Sequence, residues 1–273
     1  MKEFRGEALR WECREGVVEV TLDREPLNEI GSVMLADLEK LAASIPKLAR
    51  ETSACIIKSA RPGGFCAGAD LKELYHGALP LSRQKRAAGV RRFLRRIHAV
   101  LNTIDEAPFV TFAAVHGLCM GGGLELALAC DQIVADKMAR FGFPELRLGL
   151  IPGFGGIPRL RRDVGNAFIR DLLFTGRTVK AQSAQQAGLV SHLAGEGFVV
   201  QVARSLAQQV TKFDVETRVA GKKFIKPIPR AELKKEIELF CTLFNRPVVM
   251  DSLRRFVESD DPMKHLPVAA QSK

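Results

Sequence analysis

The six cysteines, Cys13, Cys55, Cys66, Cys119, Cys130 and Cys241, are scattered, with no CxxC pair and no histidine completing a metal-ligand pattern. That spacing excludes a zinc site or a disulfide framework as the organising feature, and no metal is expected. Reduced thiols fit a cytoplasmic compartment. The segment Met1 to Trp11 carries Glu3 and Glu7 and lacks the apolar core of a secretory signal, so export is not expected. Long hydrophobic runs are scarce as well. The run Phe109 to Leu124 is about 16 residues and holds four glycines and a histidine, whereas a bilayer-spanning helix needs roughly 20 apolar residues, so no membrane contact is expected. A GxSxG elbow, a Walker A loop and a full GxGxxG after the first strand are all absent. Their absence removes the usual marks of serine hydrolysis, nucleotide hydrolysis and dinucleotide redox chemistry. No short repeat, coiled coil or low-complexity tract occurs.

What is present describes a globular α/β chain. Its 273 residues are 47% hydrophobic and 26% charged, with a formal net charge of +10, long enough for a large core. The positive charge invites a nucleic-acid reading, and Arg83, Lys85, Arg86, Arg91, Arg92, Arg95 and Arg96 are its best support. Val90, Phe93, Leu94, Ile97 and Leu101 recur at helical spacing through the same stretch, however, so these cations form the outer face of an amphipathic helix and no nucleic-acid partner is expected. A contact with a phosphorylated ligand or a neighbouring subunit remains open for that face.

Along the chain, Gly16 to Leu22 and Ala54 to Lys58 have strand character, and a helix from about Ser32 ends at Pro46. Phe65 to Asp70 opens a second helix. Phe109 to Val115 is a buried strand feeding a glycine turn and a helix from Leu124 to Cys130, and Gln132 to Ala135 is another strand. Helical patterns dominate from Asn166. The order predicts a core over 1–200 and a C-terminal helical region over 201–273.

Candidate chemistry is concentrated in three places. Glu125 is the only carboxylate between Gly117 and Cys130 and sits in a helix apolar around its whole circumference, so it is buried. A buried carboxylate is protonated, paired, or held at a cavity where a raised pKa is useful. Pairing with nearby backbone or an arginine is the plain structural alternative. Gly121, Gly122 and Gly123 precede it, and a helix start free of side chains turns unpaired N–H groups toward a ligand, suited to an oxygen gaining negative charge. The segment Phe65-Cys66-Ala67-Gly68-Ala69-Asp70 offers a second such turn, or simply a turn capped by Asp70. Glu145 follows Pro144 in a rigid proline- and glycine-rich loop and could supply a second carboxylate, or pair with Arg147 at the surface. His116 and Cys119 lie close together but lack a third orienting group, so His116 is read as buried and structural.

These residues resemble the crotonase, or enoyl-CoA hydratase/isomerase, superfamily over about residues 8–260. The likeness is most specific in Phe65 to Leu74, Ala113 to Asp131 and Ala139 to Leu160. It implies a crotonase-like spiral of ββα units with a C-terminal helical trimerisation region, an acyl-CoA thioester ligand and a homotrimer or dimer of trimers. It also implies an oxyanion hole from the N–H groups of Ala69 and Gly122, and catalytic carboxylates at Glu125 and Glu145. Contacts to the CoA-thioester are implied for Pro26, Leu27, Ala67, Ala69, Asp70, Leu71, Lys72 and Gly122. No cofactor is implied, because coenzyme A is part of the substrate. With both glutamates retained, and Gly153 where dienoyl-CoA isomerases carry a further acid, the resemblance favours hydration across the 2,3 double bond. An isomerase or carbon–carbon bond hydrolase is the alternative, and an RNA-binding or scaffolding role the distant third. Glu25 to Ile30, Gly156 to Arg159 and Phe244 to Pro247 depart from the common hydratase pattern, so the acyl group stays open.

Overall fold

The computed structural model describes residues 3–258. An antiparallel start, β1 (Glu3–Arg5), β2 (Leu9–Arg14) and β3 (Val17–Leu22), leads into α1 (Ser32–Leu48). There follow β4 (Ala54–Ser59), β5 (Gly64–Cys66), α2 (Leu71–Ala78) and the long α3 (Arg83–Asp105). Next come β6 (Val110–Val115), β7 (Leu118–Met120), α4 (Gly122–Ala129), β8 (Gln132–Asp136) and β9 (Arg140–Gly142). A 3₁₀ turn, Glu145–Leu148, precedes α5 (Gly156–Asp163), α6 (Asn166–Thr175), β10 (Val179–Lys180), α7 (Ala181–Gln186) and β11 (His192–Ala194). The chain continues through α8 (Val199–Val210), α9 (Val215–Ile225), α10 (Arg230–Phe244) and α11 (Pro247–Glu258).

The strands divide between a seven-stranded sheet, ordered β1-β2-β3-β4-β6-β8-β11, and a four-stranded sheet, ordered β10-β9-β7-β5. The pairs β4/β5, β6/β7 and β8/β9 each give one strand to either sheet before a helix follows, which is the expected spiral of ββα units. β4 and β6 are apolar on both faces because the large sheet is covered twice. On one side lies the main core. On the other, Val199, Ala203 and Ala207 of α8 pack against Ile56, Phe112, Ala114 and Val134.

Two local expectations change. Pro46 lies inside α1, which runs on to Leu48; in a last turn a proline forgoes only its own missing N–H bond, so the helix survives it. The helix after the glycine turn starts at Gly122, not Leu124, and the short strand β7 precedes it, too brief to leave a periodic pattern. The basic stretch behaves as expected. Leu94, Ile97 and Leu101 of α3 are buried, while Arg96 makes two 2.7 Å hydrogen bonds to Glu39 and Arg91 pairs with Glu238. Among the described residues no helix is long and apolar enough to cross a membrane.

Lys226, just past α9, ties the C-terminal region to the core. Its Nζ donates to the carbonyls of Ala129 and Cys130 at the end of α4, and pairs with Asp131 and Asp105, all at 2.9 Å. Removing one member of a buried ion network leaves charges and carbonyls uncompensated. Lys226→Met is therefore expected to cost about 3 kcal/mol and to lower Tm by about 10 °C. Thermal unfolding checks it, and a fall below about 3 °C contradicts it.

Candidate active site

The loop before α1 and the turn before α2 are tied together by one asparagine. Asn28 is fully buried; its Nδ2 donates to Ser59 Oγ (2.7 Å) and the Phe65 carbonyl (2.8 Å), while its Oδ1 accepts from Arg24 N (2.8 Å). Sequence reading missed this residue, since one Asn in a loop carries no pattern. The Ile30 N–H donates to Gly68 O (2.8 Å) and the Asp70 N–H to Ile30 O (3.2 Å). In this parallel bridge the neighbours of Ala69 make the bonds, so the Ala69 N–H faces the other way. Asp70 then caps α2 through Glu73 N (2.9 Å) and holds Arg24 at 2.8 Å, so the capping role anticipated for it is realised.

The glycine turn meets this segment directly. Gly121 has φ +48°, a left-handed conformation natural to glycine. A Cβ on Gly123 would stand 2.3 Å from the Cys66 carbonyl oxygen, so only glycine lets α4 start this close to β5. A Cβ on Gly122 would lie 3.4 Å from Ala69 N, and the first N–H of a helix has no intrahelical acceptor. The backbone of Gly122 therefore lies against that of Ala69, the two residues whose N–H groups the resemblance implies as a pair.

Glu125 is buried on all sides, and its Oε1 accepts from the N–H groups of Phe154 and Gly156, both at 2.7 Å. Backbone pairing is thus real, and it comes from the Glu145 loop's continuation. Burial pushes the Glu125 carboxyl up to about 7, against the Gly156 and Phe154 N–H groups and the Arg159 charge, which favour the ionised form. Glu145 turns inward: its Oε1 lies 2.7 Å from where a Cβ on Gly121 would be, and its Oε2 is buried with no hydrogen-bond partner. Burial, then the negative charge of Glu125, raises its carboxyl well above the carboxylate range. Arg147 donates instead to the Gly176 carbonyl (2.7 Å), so the anticipated surface pairing with Glu145 does not form. Glu125 and Glu145 are brought together with different protonation preferences.

A third buried carboxylate, Glu236 of α10, faces the same loop. Sequence reading missed it. The available signal was its place at helical spacing among Leu233, Ile237, Phe240 and Phe244, a charge on an apolar face. His116, by contrast, is only partly buried and bonds the Arg61 carbonyl at 2.8 Å, a structural contact.

Two cavities meet at Ala69. A cleft of about 890 Å³ is lined by Pro26, Leu27, Ala67, Ala69, Asp70, Leu71 and Lys72, every contact residue expected from sequence except Gly122, together with the cations Arg24 and Arg147. A smaller apolar pocket of about 190 Å³ runs between α2, α3 and α10, lined by Leu74, Val90, Phe93, Leu94, Phe154 and Phe240 as well as Ala69. Among the described residues no group of three or more His, Cys, Asp or Glu is placed to hold a metal.

A family model described as enoyl-CoA hydratase/isomerase matches residues 12–264. An enoyl-CoA isomerase/hydratase of Mycosarcoma maydis is 36% identical over 232 residues, 82% of this chain and 82% of that protein. A probable mitochondrial enoyl-CoA hydratase of Arabidopsis thaliana is 34% identical over 253 residues, 91% of this chain and 81% of that protein. Among solved structures, a putative enoyl-CoA hydratase from Streptomyces coelicolor A3(2) superposes with a TM-score of 0.75 at 31% identity, covering 93% of this chain and 90% of that one. The enoyl-CoA hydratase from Bacillus halodurans shares the fold with a TM-score of 0.81 at 24% identity, covering 91% and 99% respectively.

Proposed function

The chain belongs to the enoyl-CoA hydratase/isomerase family, and on that premise we propose that it adds water across the 2,3 double bond of a 2-enoyl-CoA thioester. The observation that carries this reading is the pair of carboxylates in unlike surroundings: Glu125 Oε1 is held by two backbone N–H groups, while Glu145 Oε2 is buried without a hydrogen-bond partner and feels the charge of Glu125, which raises its carboxyl. Hydration needs one group to accept a proton from water while another donates one. An isomerase, which moves a single proton along the acyl chain, needs only one.

In this reading coenzyme A occupies the wide cleft, its phosphates near Lys72, Arg24 and Arg147, and the acyl tail enters the apolar pocket. The thioester oxygen sits between the Ala69 and Gly122 N–H groups, which stabilise the charge it gains as the enolate forms. Ionised Glu125 takes a proton from water as the oxygen bonds C3, and Glu145 delivers a proton to C2. The extra proton on Glu125 then returns to Glu145 through the next water. The reaction is redox-neutral, so the carboxylates and N–H donors supply all its chemistry and no cofactor is assigned. The apolar side chains of Phe213, Val215, Phe224 and Ile225 are exposed on and beside α9, which buries none of its residues; they suit a subunit contact in a homotrimer or dimer of trimers.

The test is a panel of short, medium and branched 2-enoyl-CoA thioesters, followed by loss of the conjugated thioester absorbance and by product mass. Expected is a gain of one water. Unchanged mass with double-bond migration favours the isomerase, and no turnover with any member sinks the proposal. The rate constant should also rise as pH increases through about 7, because Glu125 works ionised and its carboxyl is held up near that value. A flat profile between about pH 5.5 and 8.5 contradicts Glu125 as the base.

A further inference from the structure

Between Gly153 and Ile157 the backbone forms a strap whose N–H groups alternate between two carboxylates. Phe154 N and Gly156 N donate to Glu125 Oε1, both at 2.7 Å. Gly155 N donates to Glu236 Oε1 at 2.6 Å and Ile157 N to Glu236 Oε2 at 3.2 Å. The carbonyls of the strap are held too: His98 Nε2 meets Gly153 O at 2.8 Å, and Arg159 Nη1 donates to Phe154 O and Gly155 O, each at 3.3 Å. Gly155 has φ +102°, and a Cβ there would stand 1.9 Å from Arg159 Nη1, so the strap has room only for glycine at its centre.

We propose that Glu236 is a positioning residue for Glu125: by gripping alternate N–H groups of the strap, it turns the intervening N–H groups of Phe154 and Gly156 onto the Glu125 carboxylate. The proposal rests on the reading of Glu125 as the base. The left-handed turn at Gly155 and the start of α5 at Gly156 splay successive N–H groups toward the two carboxylates, and because each peptide unit is planar, gripping one set fixes the peptides that carry the other. The strap also opens α5, whose first N–H groups lack intrahelical acceptors and carry the positive end of the helix dipole. Two carboxylates thus share one helix start, and the charged groups around them decide which one ionises. Arg159 of α5 faces both and is itself paired with Asp105 of α3 at 2.8 Å. His98 of α3 approaches Glu236 at 3.8 Å, but burial pushes its imidazole down to about 4, so it stays neutral and donates to Gly153 O. Glu145 and Glu125 supply the remaining acidity. Burial and the charge of Glu125 raise the Glu236 carboxyl, against the Gly155 and Ile157 N–H groups that favour its ionised form. Glu236 touches no substrate space in this arrangement; it acts on Glu125 through the peptide groups between them.

The experiment compares wild type with Glu236→Gln, Glu236→Asp and Glu236→Ala. The ionisation of Glu125 is read by infrared difference titration of each protein against the same protein carrying Glu125→Gln, which needs no turnover. Kinetics with a 2-enoyl-CoA are measured in parallel across pH. Glu236→Gln keeps a neutral acceptor for Gly155 N and is expected to leave the Glu125 titration within about 0.3 unit of wild type. Glu236→Ala and Glu236→Asp release the strap, weaken the N–H bonds that favour ionised Glu125, and should raise its titration by about one unit. The rate constant then falls about five-fold at pH 7 and recovers by about pH 8.5, with KM within about three-fold of wild type. An unmoved Glu125 titration in both Ala and Asp overturns the proposal and leaves Glu236 as a cap of α5 alone. If Glu236→Ala does not fold, Glu236→Asp decides by the same criterion. Absence of turnover in wild type with a shifted Glu125 titration rejects the hydratase reading while sustaining the strap.

Discussion

Glu145→Gln is expected to lower the rate constant for hydration of a 2-enoyl-CoA by about 10²–10⁴-fold, the usual worth of a positioned acid or base. The expectation follows from the isolation of this carboxyl. Its Oε2 is buried without a hydrogen-bond partner, so no fold-supporting bond is lost with it. Burial and the neighbouring charge of Glu125 keep it protonated, and an uncharged amide of the same shape therefore fits the same space. Stability and affinity for the CoA product should stay close to wild type while the rate falls. Glu125→Gln should cause a loss of the same order, because an amide cannot accept the proton from water. The two losses should not add, since removing either member already breaks the proton circuit, and the double variant should be only slightly slower than the singles. Steady-state and single-turnover kinetics check all three, and a Glu145→Gln rate within about three-fold of wild type removes Glu145 from the mechanism.

The second large effect is expected at Gly122. The new methyl group of Gly122→Ala would stand 2.6 Å from the Phe154 ring and 3.4 Å from Ala69 N. The first contact pushes a ring that lines the apolar pocket; the second crowds Ala69 N, one of the two donors proposed for the thioester oxygen. Loss of one donor of an oxyanion site typically costs about 10²–10³-fold, and a methyl group that keeps the oxygen from the donors should lower kcat/KM by about the same factor. Combining Gly122→Ala with Phe154→Ala separates the causes. The double substitution removes the ring clash but leaves the methyl beside Ala69 N, so the rate should remain low. Restoration to near wild type would mean that the ring clash, and not occlusion of the N–H pair, was responsible. Binding of free coenzyme A in the wide cleft should persist in either case, because Gly122 does not line that cleft.

Both predictions concern residues that were visible in the sequence, but for different reasons. Gly121 to Gly123 ahead of an all-apolar helix announces a buried helix start whatever the rest of the chain does, and Glu125 stands out as its only carboxylate. Glu145 was weaker by itself, since Arg147 stands two residues away and offered a surface pairing. The crossing from β8 in one sheet to β9 in the other carries the following turn back over Gly121, and that return turns Glu145 inward. Glu236 comes from α10, in the C-terminal region, and charged residues are ordinary in such a helix. Its meaning depends on which face α10 presents to the strap.

The sequence by itself determined the amphipathic basic helix and, through contiguous motifs that resemble one family, pointed to the family and its ββα spiral. Those features rest on short-range rules: period in the apolar pattern, glycine where the backbone must turn or approach, and motifs contiguous in the chain. Only the tertiary structure decided that Gly122 comes against Ala69 N, that Glu145 feels the charge of Glu125, and that a third carboxylate, Glu236, accepts from the Gly155 and Ile157 N–H groups. The reason is physical. Carboxyl groups take their protonation from burial and from charges on distant segments, and neither exists until the sheets and helices close around them.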